Sequence, residues 1–213
     1  IFAIDFDMSF NAQKTKCIFF NNVLSHQNCP FPTFYIGKNV IEYVDSWPHL
    51  GHILSNKLKC DNDDIRRSYL SLVKQINEML CYFRNLGVST KLNLLYSFCS
   101  SLYGAELWDL SDSDFECICV AWRKALKRVY SLPWRTHSNV LYSLCNKWRV
   151  EDEIYRRTLL FGLRCINSQS SVVQFVSRFS INYGLMHSIL GRNILVGCQR
   201  YGLKVCDFLS MGQ

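Results

Sequence analysis

Ser113-Asp114-Phe115-Glu116-Cys117-Ile118-Cys119-Val120-Ala121-Trp122-Arg123-Lys124-Ala125-Leu126-Lys127-Arg128-Val129 is the stretch that sets the fold class. Wound at about 100° per residue, it gathers Phe115, Ile118, Trp122, Ala125, Leu126 and Val129 on one side. Arg123, Lys124, Lys127 and Arg128 fall on the other. An amphipathic helix is therefore predicted from Ser111 or Ser113 up to the break at Pro133. Its apolar side needs a core to cover it, and its polar side carries four cations.

Moving toward the N-terminus, Asp61-Asn62-Asp63-Asp64 forms a capping cluster suited to the positive end of a helix dipole. Behind it Ile65, Leu72, Ile76, Met79, Leu80 and Phe83 share one helical face, with Arg67 and Lys74 opposite. Gly87 ends that helix, and Ser89 or Thr90 caps the next, which runs toward Tyr103-Gly104. Beyond Pro133, helices are predicted at 138–146, 151–167 and 171–180. Residues 1–58 read differently. Thr15 to Phe20 is a β-prone stretch, and Cys29-Pro30-Phe31-Pro32 is a loop. Thr33 to Ile36 and Val40 to Val44 form a hairpin about Gly37-Lys38-Asn39, and His49 to Leu54 is a further short strand with Gly51 at a turn or bulge position. The predicted class is α+β: a short β-rich part over 1–58, helices over 59–110 and a basic helical region over 111–213.

The chain has 213 residues, 49% of them hydrophobic, with a net charge of +7. Disorder is excluded by that apolar content, and no apolar run approaches the roughly 20 residues of a bilayer-spanning helix. The charge is uneven. Residues 117–206 hold 14 Lys and Arg against Glu151, Asp152 and Glu153, a surplus of +11, whereas residues 1–116 sum to −3. Such asymmetry points to a polyanion, most often nucleic acid. The 11 cysteines include no C-x-x-C pair, and Cys81, Cys99 and Cys165 sit in apolar patterns as small hydrophobes of a reducing compartment. No catalytic triad, phosphate-cradling Gly loop or His-rich metal spacing is present. Asp5-Phe6-Asp7 resembles the nucleophile loop of haloacid-dehalogenase-type phosphatases. However, Ser9 departs from that pattern, and the helical remainder lacks the alternating strands and helices of that fold.

Lys14 stands between a turn and a strand, where an ammonium can donate a proton or stabilise a phosphoryl leaving group. The segment around it, Phe10-Asn11-Ala12-Gln13-Lys14-Thr15-Lys16-Cys17, resembles the D motif of reverse transcriptases. Trp47-Pro48-His49-Leu50-Gly51-His52-Ile53 resembles their primer grip, with His49 where Tyr is usual. Asp63-Asp64-Ile65-Arg66-Arg67 then resembles the opening of the thumb, and Leu102-Tyr103-Gly104-Ala105-Glu106-Leu107-Trp108 the segment after it. Ala121 to Ala125, Leu132 to Ser138 and Ser188 to Asn193 are similar to the post-thumb region. The ordered set, spanning most of residues 2–202, resembles the non-LTR (LINE-type) retrotransposon reverse transcriptases.

That resemblance implies a fragment of an RNA-directed DNA polymerase that grips an RNA template and DNA primer. Lys14 would be its general acid, and His49, Leu50 and Gly51 its primer grip. Arg66, Arg67, Lys74, Arg123, Lys124, Lys127, Arg128 and Arg135 would contact nucleic acid. Polymerisation by two Mg²⁺ ions about 4 Å apart needs paired carboxylates, which in this family lie upstream of such a segment. No metal or cofactor is therefore expected in this chain, and Mg²⁺ only in the full-length polymerase. Ile1 in place of an initiating Met leads us to expect a longer reading frame. The expected partners are the RNA–DNA hybrid and the upstream palm and fingers of the same polyprotein, with no membrane. The expected location is an intracellular ribonucleoprotein, nuclear or cytoplasmic. The alternative is a stand-alone basic helical interaction or nucleic-acid-binding protein without enzymatic activity.

Overall fold

The computed structural model describes residues 9–20, 32–56, 62–100, 102–183 and 187–211. Asp5, Asp7, Cys29 and Cys60 lie outside them. The fold is α+β, a small β part followed by a mostly helical remainder. The chain divides into two compact units, residues 1–63 and 64–213.

The first unit is built from short pairings. β1 (Lys16–Cys17) runs parallel to β4 (Glu42–Tyr43), held also by Lys16 Nζ on Glu42 Oε2 at 2.6 Å. β2 (Tyr35–Ile36) and β3 (Asn39–Val40) form the predicted hairpin, but its turn is only Gly37-Lys38, because Asn39 already pairs with Ile36. The single strand expected over His49–Leu54 is instead the end of a second hairpin, β5 (Ser46–His49) against β6 (His52–Ser55). Leu50 (φ 48°) and Gly51 (φ 84°) make its two-residue turn. Positive φ at both positions gives the tight reversal that matches strand twist. Glycine takes it without penalty, whereas Leu50 is held there at a steric cost. Among the described residues of this unit, Ile41 alone reaches burial.

The second unit is helical. α1 (Asn62–Tyr82) buries Ile65, Leu72, Ile76 and Met79 as periodicity predicts, while Phe83 beyond its end is exposed. Asp64 is not an exposed cap. It is fully buried, accepting from Trp108 Nε1 at 2.8 Å and Arg67 Nη2 at 2.6 Å. α2 (Val88–Leu94) starts one residue after Gly87, so Gly87 is its N-cap rather than Ser89 or Thr90. Leu95–Cys99 widens into a π turn, and Ala105–Leu107 is a 3₁₀ turn.

α3 (Ser113–Val129) is the predicted helix, capped by Asp112, whose side chain accepts from the Asp114 N–H. All six of its expected core residues are buried. Burial of each large apolar side chain contributes about 1.5–3 kcal/mol. These six join one cluster with residues from α1, α4 (Ser138–Cys145) and the start of α5 (Val150–Ile166). Residues 64–110 and 111–155 therefore share a core.

The far end of α5 belongs to a second cluster. There Leu159 and Ile166 pack with Ile181 of α6 (Ser171–Asn182), Ile194 and Cys198 of α7 (Ile189–Arg200), and Phe208 of α8 (Val205–Ser210). Helices α5 and α7 come close at Gly162, where a Cβ would stand 2.7 Å from Ile194 Cδ1.

Among the described residues all cysteines are free thiols. Cys99 is buried as expected and Cys165 half-buried, but Cys81 faces solvent because it lies on the outer side of α1. No helix among the described residues is long and apolar enough to cross a membrane.

Candidate nucleic-acid interface

In the first unit, Asn11 shapes the turn that carries Lys14. Its Oδ1 accepts from the N–H of Gln13 (3.0 Å) and of Lys14 (3.2 Å), and its carbonyl accepts from Thr15 Oγ1 at 2.9 Å. An Asn side chain mimicking a backbone turn explains the Asn-x-x-Lys spacing locally. Lys14 is exposed on that turn. His49, Leu50 and Gly51 are exposed at the tip of the β5–β6 hairpin.

In the second unit the basic residues separate into two groups. Arg123, placed by periodicity on the outer face of α3, is only 20% exposed. It is clamped between Glu116 and Glu151, with Nη1 2.6 Å from Glu151 Oε1. The reason is tertiary: α5 brings Glu151 over the edge of α3. Arg156, Arg157, Arg192 and Arg200 are paired likewise, with Glu153, Glu106, Asp109 and Asp152. Much of the basic surplus is thus neutralised inside the unit. On α1, Arg67 is tied to Asp64 and Lys74 lies 3.8 Å from Glu78, whereas Arg66 is exposed and has no ion pair among the described residues.

The other group keeps its charge. Lys124 is exposed and makes no ion pair or hydrogen bond among the described residues. Lys127 donates to the Trp134 carbonyl at 2.8 Å and Arg128 to Asn77 Oδ1 at 2.7 Å. Both acceptors are neutral, so these bonds orient the cations without cancelling them. Arg135 is exposed, with its guanidinium 4.9 Å from the centre of the Trp134 ring.

Two hollows flank this group. One of about 380 Å³ lies between α1 and α3, with Tyr69, Val73 and Ile76 facing Ala121, Lys124 and Arg128, and with Glu116 as a carboxylate in its lining. The other, about 480 Å³, lies between α3 and the segment leading to α4. Its lining includes Lys124, Lys127, Arg128 and Trp134, together with the acid-paired Arg123, and among the described residues no Asp or Glu. Cations over an apolar floor suit a sugar-phosphate backbone. Among the described residues no cluster of three or more His, Cys, Asp or Glu could hold a metal ion.

The chain matches no family model, no curated protein and no solved structure. The case for a function therefore rests on its own residues.

Two residues given no role from sequence shape this surface. Trp134 is displayed at 77% exposure, a feature that Pro133 directly after a helix could have signalled. Asn193 holds the segment before α3, donating to the Trp108 carbonyl at 2.7 Å and accepting from the Leu110 N–H at 3.2 Å. Beside it, Asp109 accepts from Ser111 and from Arg192 Nη2 at 2.5 Å. Burial alone would push the Asp109 carboxyl up, but the Ser111 bonds and the Arg192 charge together hold it below its usual value. A depressed folded-state value gives stability that is present above the unfolded-state value and lost as pH falls through the folded one. Asp109→Asn is expected to cost about 1 kcal/mol at neutral pH. Urea titrations should show that difference unchanged down to about pH 3.9, the unfolded-state carboxylate value, and shrinking below it.

Proposed function

We propose that this chain is the duplex-gripping rear part of an RNA-directed DNA polymerase of the non-LTR retrotransposon type. The observation that carries the reading is the groove along α3, lined among the described residues by no acid, where Lys127 and Arg128 are oriented by neutral acceptors and Lys124 is exposed, so that all three keep their charge. The ordered motif resemblance supports it, since the same helix follows the segments similar to the primer grip and thumb.

In this reading Lys14 is the general acid toward departing pyrophosphate, and His49, Leu50 and Gly51 position the primer end. Arg66 and Arg135 extend the phosphate contacts made by α3. Mg²⁺, held by carboxylates of the upstream palm, supplies the charge stabilisation for nucleotide addition. The chain's own residues bind and orient the hybrid within an intracellular ribonucleoprotein. A-form duplexes are recognised through shape, 2′-hydroxyls and phosphates, so binding should be largely independent of sequence.

The test is a titration of an RNA–DNA hybrid at several salt concentrations. About five phosphate contacts predict a log–log salt slope on the order of −4 to −5. Absence of binding at low salt, or a slope near zero, would overturn the reading.

A further inference from the structure

We propose that Trp134 is a stacking platform for an unpaired base, so that the groove beside α3 takes a single-stranded nucleic-acid segment leaving the duplex. The inference rests on the nucleic-acid reading above and narrows it. It begins with the backbone. Ser131 takes a left-handed conformation (φ 54°) at the end of α3, and the Leu132 N–H donates to the Lys127 carbonyl at 2.8 Å. Pro133 to Thr136 then close a turn, the Thr136 N–H donating to the Pro133 carbonyl at 3.0 Å, with Trp134 and Arg135 at its two central positions. Lys127 Nζ pins the Trp134 carbonyl from the helix. The turn is thus fixed at several points while the indole it carries points outward.

An indole at 77% exposure leaves a large apolar surface in water, which folding alone does not favour. Arg135 covers one face of the ring and leaves the other open. The ring lines a groove that also holds Lys124, Lys127 and Arg128, together with the acid-paired Arg123, and that has no carboxylate among its described lining residues. A flat aromatic face beside a row of cations meets both needs of a nucleotide, stacking for the base and charge for the phosphate. Bases inside a duplex are already stacked on their neighbours, so only an unpaired one can use the ring. An acidic protein segment would satisfy the cations but leave the ring face without a flat partner.

The test compares a blunt RNA–DNA hybrid with the same hybrid carrying a single-stranded extension, of RNA in one arm and DNA in the other. The full chain should bind the extended hybrids more tightly, and Trp134→Ala should lose that gain, roughly five- to hundredfold for one stacked base. Blunt-hybrid affinity should fall less than that of the extended hybrids, and Trp134→Phe should restore most of the gain. The arm with the larger gain identifies template or displaced strand as the source. Retention of the full gain by Trp134→Ala would overturn the platform, as would equal weakening of blunt and extended hybrids. Either result leaves the duplex reading standing. Binding of single strands but not of hybrid would overturn the duplex reading and keep the platform.

Discussion

Asn193→Ala should lower the unfolding free energy by about 2–4 kcal/mol, a large fraction of the roughly 5–15 kcal/mol of a folded domain. Asn193 is 2% exposed, and its amide joins α7 to a segment more than 80 residues earlier. Removing it strands the Trp108 carbonyl and the Leu110 N–H in the interior, each at about 1–3 kcal/mol. The damage should spread, because the Trp108 indole is itself bonded to buried Asp64 at the start of α1. Arg192→Ala, which removes the neighbouring, partly exposed pair with Asp109 and a long bond to the His187 carbonyl, should cost about 1 kcal/mol or less. Asn193→Asp offers a sharper check. When protonated, its carboxyl can donate to the Trp108 carbonyl and accept from the Leu110 N–H as the amide does. When ionised it is an unpaired buried charge facing a carbonyl, so its folded-state pKa is raised. Its stability relative to the native chain should therefore improve as pH falls from 7 to 5, where Asp109, with its depressed value, stays ionised. Equal stability of Asn193→Ala and Arg192→Ala would show that the amide bridge contributes little.

These links also mark where local reading of the sequence stops. The inner face of α3 was legible because a helix's periodicity is a property of consecutive residues, and Phe115, Ile118, Trp122, Ala125, Leu126 and Val129 are buried as that pattern requires. The same pattern put Arg123 outside. It sits at the seam between faces, and Glu151, 28 residues on, decides its fate. Asp64 had the composition of a helix cap, and only the indole of Trp108, 44 residues later, reveals it as an interior acceptor. In the first unit, Gly51 signalled a turn or bulge, but Leu rarely adopts positive φ, so His49 to Leu54 read as one short strand rather than as two joined by Leu50-Gly51. Asn193 left a faint trace, a polar residue in register with Leu190, Ile194 and Gly197 on a helix that otherwise buries that side. A polar residue at a core position demands a partner, but the pattern does not say which. The basic surface was legible as a sum and illegible as a map, since charge that is paired internally counts equally in the composition.

That map decides which charge reversal tests binding. Lys124→Glu together with Arg128→Glu is expected to weaken hybrid binding by roughly 10- to 100-fold at low salt. It should also flatten the log–log salt slope by about 2, one for each lost phosphate contact. The double variant should keep its fold, because Lys124 is exposed and Arg128 gives up only one hydrogen bond to exposed Asn77. Arg123→Glu does not belong in this set. It would place three carboxylates together with Glu116 and Glu151, the latter only 14% exposed, and repulsion there would unfold the helix junction before any binding was measured. Arg123→Ala is the informative companion. It should cost stability by leaving Glu151 half-buried and unpaired, yet leave the salt slope of the folded fraction unchanged. A slope that flattens for Arg123→Ala but not for the Lys124 and Arg128 pair would move the phosphate contacts to the other edge of α3. Equal slopes in all three proteins would remove α3 from the interface.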